Sequence, residues 1–165
     1  MPINSLLIFD VNETLLDLQP LAIRVNRLLK NKNGFAIWFP SLLHYSLVET
    51  VSNSYHDFSE IARATLAMTA KMMSIEFSTE EIQSTLSVIT KLPPHPDVLP
   101  ALGKMKEHGH TLVALTNGNA SVVMKQMKFA GLTQYFEEIY SVEAVRKYKP
   151  SGAPYRYVLE QPHVS

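Results

Sequence analysis

Apolar and polar positions fall in blocks along this chain, and the blocks predict its elements. Residues 5–9, Ser-Leu-Leu-Ile-Phe, form a short unbroken apolar run that ends on Asp10. A run of this kind predicts a buried parallel strand and not a helix, and we expect it to be the central strand of a sheet. The polar turn Asp10-Val11-Asn12-Glu13-Thr14 follows at the strand's C-terminal end, which is where open α/β sheets bind ligands. From residue 17 to about 90 the spacing becomes helical. Leu18, Leu21, Val25, Leu28 and Leu29 give an apolar face, and Asn31-Lys32-Asn33-Gly34 is expected to stop that helix as a C-cap. A second helix carries Trp38, Leu42, Leu47 and Val51, with Pro40 beginning or interrupting it. A third spans about 57–73, and Ser78-Thr79-Glu80-Glu81 is a capping sequence for a fourth that runs to about Lys91.

The proline-dense stretch Lys91-Leu92-Pro93-Pro94-His95-Pro96 forbids regular structure and marks a boundary. Beyond it, a helix over 97–108, a strand over 111–115, a helix over 120–130 and a strand over 138–141 alternate. That alternation predicts a parallel sheet with right-handed crossovers. The expected fold is therefore α/β: a Rossmann-like core built from 1–14 and 92–165, with four helices over 15–91 inserted as a cap.

Composition narrows the function. Fifteen basic and 15 acidic side chains cancel, so there is no polybasic surface for nucleic acid. A hydrophobic content of 46% against 18% charged excludes a disordered chain. The absence of cysteine removes disulfides, thiolate zinc sites and Cys nucleophiles together. No apolar run approaches the roughly 20 residues of a membrane span, and the N-terminus lacks the basic flank of a signal peptide. The expectation is a soluble cytoplasmic protein with neither a membrane nor a nucleic-acid partner.

Parallel strands deliver the loops that follow them to one edge of the sheet. Asp10 to Thr14, Thr116 to Asn119, and Tyr148-Lys149-Pro150 should therefore meet in one cleft. Each has an ordinary explanation, as a turn residue, a cap or a solvated lysine. Their joint appearance, each after its own strand, favours chemistry. Cationic and hydrogen-bonding neighbours keep a nucleophilic carboxylate ionised and hold a small anionic substrate beside it, and the backbone N–H groups of Val11-Asn12-Glu13 can cradle an anion.

The run Phe9-Asp10-Val11-Asn12-Glu13-Thr14-Leu15, the turn Leu115-Thr116-Asn117-Gly118 and the pair Lys149-Pro150 resemble the first three motifs of the haloacid dehalogenase superfamily. Trp38 onward, Tyr55-His56-Asp57-Phe58, and Ser141-Val142-Glu143-Ala144-Val145 resemble its type II branch, the 2-haloacid dehalogenases. The resemblance covers essentially the whole chain. It implies a hydrolase in which Asp10 is the nucleophile, Thr14, Thr116 and Asn117 position it and the substrate, and Lys149 offsets the clustered negative charge. Val11 and Asn12 belong to the substrate loop, and Tyr155 matches a tyrosine that supports the site.

Two chemistries share that scaffold. Phosphatases of the superfamily usually carry a second aspartate two residues after the nucleophile, which protonates the departing alkoxide. This chain has Asn12, which has no carboxylic proton to give. A halide leaves without one. Asn12 also lowers the expectation of a Mg²⁺ site, because an amide is a poorer ligand than a carboxylate. The expected cofactor is none, with Mg²⁺ reserved for the phosphatase alternative. A third reading is a non-catalytic binding protein on the same fold.

The branch places a halide-binding arginine just after the cap tryptophan, and the matching position here is read as Pro40. Arg24, Arg27 and Arg63 are read as solvated helix-face charges, and His44 as a packed or interfacial residue. The superfamily's fourth motif, with its acidic residue, has no counterpart after Lys149, since Glu160 has no reason to reach the site. The expectation is therefore a C-terminally shortened chain whose inherited reaction is hydrolytic dehalogenation through an Asp10 ester, with alkylation at Asp10 expected and turnover by these 165 residues left open. Trp38, Phe39 and Tyr45 on the cap are candidates for a homodimer contact.

Overall fold

A computed structural model describes residues 5–162 of the chain. Three parallel strands, β1 (Leu6–Phe9), β2 (Thr111–Thr116) and β3 (Glu138–Ser141), form one sheet in the order β1-β2-β3. Phe9 lies opposite Ala114, and Thr116 opposite Ser141, so the three C-terminal ends share one edge. Among the described residues β2, not β1, is the central strand. Leu112, Val113, Ala114 and Leu115 are sealed from solvent, whereas all four β1 residues are only half-buried because β1 pairs with β2 alone.

Helices α5 (Val98–Glu107), α6 (Ala120–Phe129) and α7 (Gly152–Leu159) complete this α/β unit, and their inner residues Leu102, Val123, Met127 and Val158 join one continuous core. The cap sequence forms four helices, α1 (Gln19–Leu28), α2 (Gly34–Val51), α3 (Phe58–Met72) and α4 (Thr79–Leu86), which pack on one another. The chain leaves and re-enters the sheet unit through two hydrogen-bonded passages. Asp17 N donates to Pro93 O at 2.9 Å and His95 N to Leu15 O at 3.0 Å, with Leu16 and Leu92 buried between them.

The insertion departs from the sequence expectation at three places. Gly34 does not stop α1. Lys30 does so by taking a left-handed φ of 46°, and Gly34 opens α2, where a Cβ would sit 3.0 Å from Leu29. Pro40 lies inside α2 and neither starts nor ends it. The fourth helix stops at Leu86, and Ser87–Lys91 tighten into a 3₁₀ turn; the β-branched run Val88-Ile89-Thr90 before the prolines disfavours another α turn.

Trp38 anchors the insertion. It is 1% exposed, packs against Phe35 and Phe39, and its Nε1 donates to Thr65 Oγ1 at 3.1 Å and Ala62 O at 3.2 Å. Burial this complete removes it from any contact with a second copy. The outer side of α2 does present Leu47, Val48 and Val51 to solvent. Among the described residues no helix is long and apolar enough to cross a membrane.

Helix α3 begins at a full capping box, in which the Asp57 carboxylate accepts from the N–H groups of Ser59 and Glu60 while Glu60 accepts from Asp57 N. Asp57→Ala is expected to lower stability by about 1 kcal/mol, read as a drop in the urea midpoint at unchanged slope. An unchanged midpoint would show that the box adds nothing here.

Candidate active site

Asp10 is the first residue past β1, and its side chain is 46% exposed. The chain then turns back on itself, with the N–H groups of Leu15 and Leu16 both donating to Val11 O and Glu13 held at φ 64°. A left-handed conformation at a residue with a Cβ costs roughly 1–2 kcal/mol, and such strain clusters at functional loops. Thr14 Oγ1 comes back over the aspartate and donates to Asp10 Oδ2 at 3.4 Å, a long hydrogen bond.

Lys149 reaches the same carboxylate from the far side of the sheet edge. Its Nζ donates to Asp10 Oδ1 at 2.5 Å and to Leu115 O at 2.6 Å, and its side chain is only 13% exposed. Its backbone N–H is held by Asn117 Oδ1 at 2.9 Å, and the peptide bond from Lys149 to Pro150 is cis. Thr116 is 1% exposed and its Oγ1 accepts from Gly118 N at 3.0 Å, so it shapes the turn, and among the described residues no hydrogen bond joins it to Asp10. Ser141 Oγ donates to Gly118 O at 2.7 Å and fixes the same turn from β3. The parallel arrangement thus brings Asp10, Thr14, Asn117 and Lys149 together from three strand ends.

The segment carrying Lys149 is bolted to the insertion. Tyr148 is fully buried, stacks on Tyr55 with ring centroids 5.5 Å apart, and donates its hydroxyl to His56 O; Lys147 Nζ donates to Thr50 O at 3.0 Å. Burial pushes the Tyr148 pKa up, followed by the nearby Tyr55 and Asp57 charges, so the hydroxyl stays protonated as the donor it must be.

Other expected site residues stand elsewhere. The Val11 side chain is wholly buried in the core, which leaves only its backbone for a ligand. Tyr155 on α7 is 38% exposed, and among the described residues no hydrogen bond joins it to Asp10, Thr116 or Lys149. Asn12 Oδ1 accepts from Gln126 Nε2 at 3.0 Å, and both residues line a cavity of about 260 Å³ between the insertion and the sheet unit.

Sequence reasoning missed two residues of that cavity. Arg63 on α3, read as a solvated charge, is exposed overall yet lines the cavity wall; Pro40 is exposed and off the wall, where its neighbours Trp38, Phe39 and Leu42 stand. His44 is exposed against Tyr45 and lines nothing there. Gln126 had a legible signal: with Val123, Met127 and Ala130 it repeats at the inward spacing of α6, a polar residue on a buried stripe. Glu160 caps the C-terminus of α7 on the exposed surface.

The profile of the haloacid dehalogenase-like hydrolases matches residues 7–165. The (S)-2-haloacid dehalogenase of Xanthobacter autotrophicus is 27% identical over 155 residues, covering 93% of this chain and 60% of that protein. (S)-2-haloacid dehalogenase 1 of Pseudomonas sp. strain CBS-3 is 24% identical, covering 93% and 69%. The crystal structure of the Xanthobacter L-2-haloacid dehalogenase superposes with a TM-score of 0.87 over 99% of this chain and 66% of that one. A second structure of that enzyme, with chloropropionic acid covalently bound, gives the same score at 26% identity. The chain thus spans 60 to 69% of the length of these two curated relatives. With the sheet, the insertion after its first strand and the profile in agreement, the chain belongs to the haloacid dehalogenase-like hydrolases.

Proposed function

We propose that the Asp10 site displaces halide from short 2-haloalkanoic acids. The observation that carries this reading is the Asp10 carboxylate held at the strand edge by the Lys149 ammonium, with an amide at position 12, where phosphatases of the superfamily carry their proton-donating aspartate. One Asp10 oxygen attacks C2, the C–X bond breaks, and the halide departs with the bonding pair. The product is an ester between Asp10 and C2, with no proton transferred. Water adding to the ester carbonyl then releases a 2-hydroxyacid and a proton and restores the carboxylate. Lys149 holds Asp10 in line and offsets the charge of the incoming carboxylate, while Thr14 and Asn117 fix Asp10 and the Lys149 backbone. The covalent chloropropionic acid in the Xanthobacter structure supports an ester of this kind.

One Asp10 oxygen accepts from an ammonium and the Asn12 oxygen from Gln126, which supports a reaction that needs no Mg²⁺. Chloride release from chloroacetate, unchanged by EDTA, is the expected result. Magnesium-dependent hydrolysis of p-nitrophenyl phosphate would overturn it in favour of a phosphatase, and the absence of both release and adduct would leave a binding protein. The exposed α2 residues Leu47, Val48 and Val51 support self-association through the insertion, checked as a dimer mass in light scattering.

A further inference from the structure

Residues 146–149 pass from the insertion to the nucleophile without slack. Arg146 sets its guanidinium over the Tyr55 ring at 5.6 Å, Lys147 Nζ donates to Thr50 O at 3.0 Å and to Asn53 Oδ1 at 2.5 Å, and Tyr148 N donates to Thr50 Oγ1 at 2.9 Å. The next residue, Lys149, donates instead to Asp10 Oδ1, Leu115 O and Asn117 Oδ1. Consecutive Cα atoms stand about 3.8 Å apart, so a shift of residues 147 and 148 is carried to residue 149 almost undiminished.

Lys147 differs from an ordinary surface lysine. It is half-buried, and it closes a helix end that has no cation of its own. Carbonyls in the last turn of a helix lack an intrahelical partner, and that end carries partial negative charge. The last turn of α2 holds no basic residue, and Thr50 O is met by an ammonium 97 residues further along the chain. Asn53, just past that helix, takes a left-handed φ of 62° and offers its side-chain oxygen to the same ammonium. The buried Tyr148 ring, stacked on Tyr55, fixes how deeply the segment sits. The bonds of Lys147 Nζ and Tyr148 N to Thr50 fix its backbone against turning about that ring.

We propose that Lys147 is a positioning residue of the Asp10 site: seated on the end of α2, it sets the point from which Lys149 reaches the carboxylate, and so ties the reactivity of Asp10 to the seating of the insertion. The effect on reactivity rests on the reading of Asp10 as the nucleophile; the placement of Lys149 does not. A displacement of about 1 Å at a reacting centre costs up to about 10²-fold in rate. Lys147→Met keeps the stem and loses both bonds. It is expected to slow formation of the 2-chloropropionate adduct by about 5- to 10-fold. Acetylation of Lys149 by acetic anhydride, followed by peptide mapping, is expected to rise by a similar factor, while the exposed Lys104 and Lys125 react as before.

Lys147→Arg returns a cation and donors to the helix end, and it is expected to bring both rates to within about 2-fold of the unsubstituted chain. If Lys147→Met unfolds, Asn53→Gly decides in its place. Glycine suits a φ of 62°, so the melting temperature is expected to be no lower, yet one acceptor is gone and Lys149 acetylation is expected to rise about 2-fold. Lys149 acetylated no faster in the deciding variant overturns the proposal. So does faster acetylation with an unchanged adduct rate, or a defect in Lys147→Met that arginine does not repair. An unsubstituted chain that forms no adduct sinks dehalogenation, and acetylation alone then decides the placement of Lys149.

Discussion

Asp10→Asn is expected to abolish the mass increment that 2-chloropropionate leaves on the protein, a rate loss of at least about 10⁴-fold. The substitution keeps the size and shape of the side chain, and it keeps an oxygen for Thr14 Oγ1 to reach. What it removes is the anionic oxygen. A neutral amide has neither the charge nor the available electron pair to displace a halide from carbon. The half-exposed position of the side chain means that folding does not depend on it, and the thermal midpoint should move by no more than a degree or two. Peptide mapping of the unsubstituted chain should place the adduct on the peptide containing Asp10. An adduct that persists in the asparagine variant would show that another carboxylate is the nucleophile.

Lys149→Met is expected to slow adduct formation by about 10²- to 10³-fold. Its ammonium is the contact that links β1, β2 and the segment after β3, through Asp10 Oδ1 and Leu115 O. A second carboxylate brought about 4 Å from Asp10 is repelled by roughly 4 kcal/mol at an effective dielectric of 20, and the ammonium between them offsets most of that. Methionine keeps the buried stem and loses the charge, so the effect should fall on reactivity and much less on stability. Lys149→Arg should recover only part of the rate. It restores the charge, but a planar fork does not fit the two acceptors that a compact ammonium satisfies. If methionine reacts as fast as lysine, the ion pair is structural and the electrostatic account of the site fails.

Much of this geometry was legible in the chain. The apolar runs before Asp10 and Thr116 form strands where expected, and 138–141 forms the third with its predicted bounds. The rule that parallel strands end on one edge is enough to bring Lys149 to Asp10 across 139 residues of sequence, because it depends on topology and not on side-chain detail. Capping signals were equally local. Ser78 and Glu81 form the predicted box because every group in it lies within one turn.

Features that depend on how elements face one another were not legible. β1 was read as central from its unbroken hydrophobicity, yet in the sheet formed by the described residues β3 lies beyond β2, which makes β2 the middle strand. Gly34 has the composition of a helix stop, but the close approach of Leu29 gives it a different use. Arg63 looked solvated because a helix's apolar spacing fixes which side is buried without saying what stands at the edge of that side; it is exposed and also lines the cavity wall.

The sequence by itself determined the α/β alternation, the four-helix insertion and the residue types at the strand ends, because short-range periodicity and capping are written in neighbouring residues. Only the tertiary structure decided that the Asn12 amide is tied to Gln126, that Val11 is sealed in the core, and that a cavity of about 260 Å³ lies between the insertion and the sheet unit. These are outcomes of packing between segments distant in sequence, 114 residues apart for Asn12 and Gln126, and no local pattern carries the distance between them.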